Sequence, residues 1–186
     1  LQGLYAGILT DSNRFAWGNA GADFAQTLEA AAYLVREGVP ARLLSDRLTR
    51  TVTLNYLRLQ GHIINNQTEF LENNQLAFIH AQAAQIKEFG CDPEDKDILL
   101  SVFQSIDGVQ MLLMVLQDAD GYRISTRGRT DACRMDLFCA QFGGGGHAAA
   151  AGAMVKTDEP MDAFLPRFRQ ALLVHWKAYG PATREL

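Results

Sequence analysis

The sequence lacks any apolar run near the roughly 20 residues needed to cross a bilayer, which excludes a membrane-spanning helix. It has only three cysteines, Cys91, Cys133 and Cys139, with no CxxC pair among them. That argues against a zinc ribbon or a disulfide framework and leaves them as small hydrophobic residues. Positive charge is also scarce: 17 Lys and Arg face 21 Asp and Glu, a formal net charge of −4. Such a surface does not track long duplex nucleic acid, while a local basic pocket for a short anion stays open. The opening LQGLYAGILTDS has neither the basic start nor the cleavage site of a secretory leader. A soluble, cytoplasmic chain is expected. Internal repeats and low-complexity linkers are missing too.

What is present is ordinary globular composition, 48% hydrophobic and 20% charged, in 186 residues, long enough to bury a core. Leu4 to Thr10 (LYAGILT) reads as a buried strand. An interior strand so early, with no initiator Met, leads us to expect the C-terminal part of a longer protein. Asp23 is placed to cap a helix over FAQTLEAAAYLVREG, closed by Gly38 and Pro40. Ala41 to about Ile64 reads as one long helix carrying Arg42, Arg47, Arg50 and Arg58, fit to connect two lobes. Beyond residue 65 the pattern becomes mixed. TEFLENNQLAFIHA suggests two strands around a Glu-Asn-Asn turn, and QAAQIKEFG and DPEDKDILLSVFQSI suggest short helices. Met111 to Leu116 is apolar on both faces, as a central strand should be, and turns at Asp118–Gly121 into a second strand. The rest reads as a helix over CRMDLFCAQF, a glycine loop, a strand AGAMVK and an amphipathic helix from Met161 to Tyr179. The fold class is α/β.

Two stretches carry chemistry. In FGGGGHAAAAGA, four glycines (Gly143, Gly144, Gly145 and Gly146) precede a single His147. Each Gly costs about 0.5–1 kcal/mol relative to Ala in regular structure, so the run needs a backbone reason. One reason is a ligand: successive N–H groups form a concavity for an anion, and His147 adds a side-chain donor. The other is structural, a flexible linker or tight packing against the small residues that follow. No Lys-Ser/Thr follows, so the loop is no Walker A motif, and its helix-to-strand setting rules out a dinucleotide fingerprint. Upstream, YRISTRGR puts Arg123, Arg127 and Arg129 at alternate positions. A strand would send all three to one face, as an anion site or as a solvated hairpin edge.

These stretches carry a family resemblance. FGGGGHAAAAGA resembles the GGGGH motif of the DHHA1 domain of DHH-family phosphoesterases. YRISTRGRTDACRMDLFCAQ and DILLSVFQSIDGVQMLLMV are similar to the segments that precede it, and LYAGILTDSNRF resembles the last motif of the DHH domain. The nearest subgroup is the bifunctional oligoribonuclease and phosphatase type, often labelled exopolyphosphatase-related. The resemblance implies a DHHA1 domain with a mixed sheet flanked by helices, preceded by the last strand and helices of a DHH domain. The implied divisions are residues 1–38 for the DHH remnant, 39–65 for a connecting helix and 66–186 for the DHHA1 domain.

In the family, two manganese ions bound by the DHH lobe cleave a phosphate ester that the DHHA1 lobe grips. Only Asp11 matches a metal-ligand position here. One carboxylate cannot hold two octahedral manganese ions, so this chain alone is expected to bind without cutting. Carried over residue by residue, Arg127, Gly143 to Gly146 and His147 hold the substrate, with Ser125 and Arg129 beside them. The implied substrates are short RNA, linear dinucleotides or adenosine 3′,5′-bisphosphate, and family analogy suggests a homodimer. A nucleic-acid-binding or oligomerisation module without hydrolase activity and an exopolyphosphatase are the competing readings. His62, His80 and His175 match nothing and are read as structural or surface residues.

Overall fold

The computed structural model describes residues 1–12, 14–15, 22–48, 53–93 and 96–181. They form two compact units, Leu1–Val52 and Thr53–Leu186. The first unit has three helices: α1 (Gln2–Asp11), α2 (Ala22–Arg36) and α3 (Ala41–Leu48). The strand expected over Leu4 to Thr10 is therefore a helix. Tyr5 and Leu9, one helical turn apart, join Ala31, Leu34 and Val39 in a small core, while Leu4 is exposed. A short apolar run fits either period. Among the described residues this unit has no strand to pair with, so the backbone must satisfy its hydrogen bonds within the helix. Asp23 lies in the first turn of α2, and Gly38, at φ +86°, closes that helix.

The long connecting helix expected from Ala41 is two helices. Arg50 and its neighbours 49–52 lie outside the described residues. A new helix, α4 (Leu54–Asn66), starts at Thr53, whose hydroxyl accepts from the Tyr56 N–H at 3.1 Å. Its Tyr56, Leu59 and Ile63 are buried in the core of the second unit. The two compact units therefore divide at 52/53.

The second unit is built on a six-stranded mixed sheet of order β1-β2-β3-β4-β6-β5. Its strands are β1 (Thr68–Leu71), β2 (Leu76–Gln82), β3 (Met111–Asp118), β4 (Gly121–Gly128), β5 (Gly145–His147) and β6 (Ala150–Lys156). Only β2 and β3 run parallel; every other neighbouring pair is antiparallel. A parallel pair needs a crossover, supplied here by α5 (Ala83–Glu88) and α6 (Lys96–Gln104). Glu72, Asn73 and Asn74 take positive φ in the β1–β2 turn, as expected of its Asn pair. The central strand β3 is buried from Met111 to Leu116 on both faces. Met111, Leu113 and Val115 face α7 (Met135–Ala140) and α8 (Met161–Tyr179). Leu112, Met114 and Leu116 face α4, α5 and α6.

The two faces are covered unequally. On the α7/α8 side the core continues across Tyr122 and Ile124 of β4 and Ala151 and Ala153 of β6. Rings of Tyr122, Phe164, Phe168 and Phe142 stack in a row, with centroids 3.7, 4.4 and 4.2 Å apart. On the other side the core takes residues from β2 and β3 but none from β4, β6 or β5. Among the described residues of this unit, no helix packs over those three strands there.

Candidate substrate-binding site

The open face is defined by strand register. Arg127 of β4 pairs with Ala150 of β6, and Ala150 pairs with His147 of β5. Directly opposed residues share a face, so Arg127, Ala150 and His147 form one row across three strands. The Arg127 and His147 Cα atoms are two strand spacings apart, about 9.6 Å, with only a methyl group between them. Arg127 is half-buried, its guanidinium donating to the Thr126 carbonyl at 2.9 Å, and His147 is exposed. The next row is Ser125, Gly152 and Gly145, and beyond it lie Arg123 and Met154. All of these point away from α7 and α8.

Hydrogen bonds beneath the face fix this arrangement. Met135 N–H donates to the Ala148 carbonyl and Gly128 N–H to the Ala149 carbonyl, each at 2.7 Å. The tip of the β5–β6 hairpin is thus held by the start of α7 and the end of β4. Thr126, on the buried face, donates its hydroxyl to the Ala151 carbonyl at 2.9 Å and lies 3.5 Å from the Cys139 sulfur. Burial pushes the Cys139 thiol pKa up, with Thr126 pulling weakly the other way, so that cysteine stays a protonated core residue. Ahead of α7, Arg134 adopts a left-handed conformation (φ +47°) and grips Asp136 with two bonds of 2.9 and 2.8 Å. That grip holds the Asp136 carboxyl below the usual range.

The four glycines divide by what a side chain would meet. Gly143 has φ +72° and, with Gly144, closes α7 through N–H bonds to Ala140 and Cys139. Those two amides are committed to the helix end. A Cβ on Gly144 would overlap the Gly152 carbonyl and come to 2.5 Å from the Ala153 Cβ. Gly146, at φ +145°, would put a Cβ 2.6 Å from the Ala150 carbonyl. Packing and turn geometry therefore require three of the four. Gly145 differs: a Cβ there meets nothing within 4 Å, in an ordinary strand conformation on the open face.

The structure brings Arg127, His147, Gly145 and Ser125 together on one face. Arg129 lies one residue past the end of β4, exposed, its N–H donating to the Gln110 carbonyl at 2.8 Å. Arg123 does share the face, but it bridges to Asp118 at 3.5 Å beside a cleft of about 310 Å³. Lys87, Asp92 and Asp120 also line that cleft. Three carboxylates against two cations make it a poor anion site. Asp11 is exposed at the end of α1 in the other unit, and among the described residues no group of three or more His, Cys, Asp or Glu could hold a metal ion.

Two of the remaining histidines are held by side-chain hydrogen bonds. His175 is buried, its Nε2–H donating to the Cys133 carbonyl at 2.8 Å, and His62 pairs with the Gln85 amide at 2.9 Å. His80 is half-buried on β2. Sequence reasoning missed Ala150, Gly152 and Met154 as the floor of the open face. Their alternation in AAAAGAM was the available signal.

Residues 76–173, from β2 into α8, match the DHHA1 domain family. The chain belongs to that family. It is 25% identical over 162 residues to the bifunctional oligoribonuclease and PAP phosphatase NrnA of Bacillus subtilis, covering 87% of this chain and 49% of the relative. It is 28% identical over 172 residues to the protein of the same description from Thermus thermophilus, covering 91% and 50%. The DHHA1 chain thus spans about half the length of these curated relatives. An exopolyphosphatase-related protein from Bacteroides fragilis has the same fold, with a TM-score of 0.81 at 20% identity over 97% of this chain and 51% of that one. Within the DHHA1 domain, the open face of β4, β6 and β5 is the ground on which Arg127 and His147 meet.

Proposed function

We propose that this chain is the substrate-holding part of a metal-dependent phosphoesterase. Its substrates are short oligoribonucleotides, linear dinucleotides or adenosine 3′,5′-bisphosphate. The observation that carries the reading is the row Arg127–Ala150–His147 on an uncovered sheet face. A guanidinium and an imidazole flanking a bare methyl leave room for one phosphate, to which Arg127 presents a fork of N–H donors and His147 a ring N–H. Relatives named as an oligoribonuclease and PAP phosphatase support the substrate class.

The Leu1–Val52 unit is, in this reading, the end of the preceding catalytic lobe. The two manganese ions that lobe would hold do not fit the described donor set, which contains no group of three or more His, Cys, Asp or Glu. No cleavage step is therefore derived for this chain. Its own residues bind and orient: they fix a phosphate against the sheet, so that binding energy goes into placement of the scissile bond.

Calorimetric titration with adenosine 3′,5′-bisphosphate tests the reading. Arg127→Ala and His147→Ala should each weaken binding by roughly 1.5–3 kcal/mol, the range for a charge-assisted bond. Unchanged affinity in both variants refutes it. Displacement of the bisphosphate by inorganic polyphosphate at comparable concentration would favour a polyphosphate substrate instead.

A further inference from the structure

His147 ends β5, and because it pairs directly with Ala150 the chain returns into β6 through Ala148 and Ala149 alone. Hairpin connections of that length favour turns with positive φ, whose twist matches that of the flanking strands. Neither alanine takes positive φ. The turn beside His147 therefore lacks the geometry that would hold it by itself, and both of its carbonyls are tied from outside. Gly128 N–H donates to Ala149 and Met135 N–H to Ala148, each at 2.7 Å. The first donor sits at the end of a paired strand. The second depends on the residue before it.

That residue is Arg134, left-handed at φ 47° and ψ 50° where α7 begins. A non-glycine residue keeps such a conformation only where its surroundings over-determine it. Side chains two positions apart do not face each other along a helix. Arg134 and Asp136 meet because the left-handed turn swings one against the other, in paired bonds of 2.9 and 2.8 Å. The fork and the turn thus stabilise each other. Just upstream, the Cys133 carbonyl accepts from His175 of α8 at 2.8 Å, so the chain enters the turn already anchored. A change of ψ at Arg134 would rotate the peptide that carries the Met135 N–H away from Ala148.

We infer that the Arg134–Asp136 fork is a positioning pair for His147. It holds the left-handed turn that aims the Met135 N–H at Ala148, and through that bond it fixes the end of β5. The inference rests on the phosphate reading proposed above and adds to it two residues that set affinity without touching the phosphate.

The test uses the 186-residue chain and two readouts, hydrogen exchange of the Met135 amide and calorimetric affinity for adenosine 3′,5′-bisphosphate. Asp136→Ala should speed that exchange and weaken binding about 3- to 10-fold, the worth of one net hydrogen bond. Arg134→Ala, which loses the fork and resists the turn, should do the same. Arg134→Gly loses the fork but takes positive φ freely, so it should stay close to the wild type in both readouts. In a His147→Ala background, Asp136→Ala should cost no further affinity, because its effect runs through the histidine. Unchanged Met135 exchange in Asp136→Ala and Arg134→Ala overturns the inference, as does an undiminished loss of affinity in the His147→Ala background. Equal losses of affinity in Arg134→Gly and Arg134→Ala also overturn it, and would assign the guanidinium itself to the ligand. Binding that depends on His147 but ignores Asp136 leaves the phosphate site standing and removes the positioning pair. A wild type that binds no bisphosphate removes both.

Discussion

Replacing each of the four loop glycines by alanine should give four different stabilities. At Gly144 the new methyl meets Ala153 at 2.5 Å and the Gly152 carbonyl closer still, and both contacts belong to a paired strand that cannot retreat. Overpacking of that kind costs about 1–3 kcal/mol, with the upper end expected here. At Gly146 a methyl 2.6 Å from the Ala150 carbonyl adds to φ +145°, which alanine resists. A similar loss of about 2–3 kcal/mol follows. Gly143 has space but φ +72°, so only the left-handed penalty of about 1–2 kcal/mol applies. Gly145→Ala carries neither penalty and should be neutral or stabilising by up to about 1 kcal/mol. Urea unfolding of the four variants reads this order directly, through midpoints at constant slope. Four equal losses, or a loss at Gly145 as large as at Gly144, would refute the separation of the three structurally required glycines from the one that faces open space.

Phe168 lies between Phe164 and Phe142, fully buried, so Phe168→Ala should cost about 3–5 kcal/mol and loosen the residue that leads into the glycine loop. A loss under about 1 kcal/mol by urea unfolding would show that the ring row is not a load path. Acid should weaken the fold through His175, whose pKa burial pushes below 6.5, with its bond to Cys133 opposing in part. Burial lowers His80 in the same direction, against the nearby Glu69 charge. With the folded pKa depressed, the unfolded chain binds more protons between that pKa and 6.5, so stability is full above 6.5 and falls as pH drops through this window. His175→Gln should flatten that slope. A proton NMR titration placing His175 at or above 6.5 contradicts the assignment.

Much of the second unit was legible in the sequence because its signals are local. The helix from Met161 to Tyr179 shows its amphipathic period, β3 shows a run apolar on both faces, and Asp118–Gly121 marks a two-residue hairpin. The first residues were not legible. LYAGILT fits strand or helix equally, and the choice was settled by the helices packed against it, which lie far along the chain. The division between α3 and α4 likewise hinged on one capping threonine, Thr53, inside a weak helical period.

The site was half legible. Arg127 and His147 stand out by type, but their meeting depends on β6 inserting between β4 and β5, a pairing that separates them by 20 positions in the chain. Nor could the sequence show that α4, α5 and α6 stop short of these strands.

The most direct test of the central claim is an amide-shift titration of the isotope-labelled chain with adenosine 3′,5′-bisphosphate. Binding on the open face should move the amides of Ser125 to Arg127 and Gly145 to Ala150 together, in one saturating transition that Arg127→Ala abolishes. Shifts confined to α7 and α8 on the opposite face, or to the cleft beside Arg123, would contradict it, and so would no shift at all.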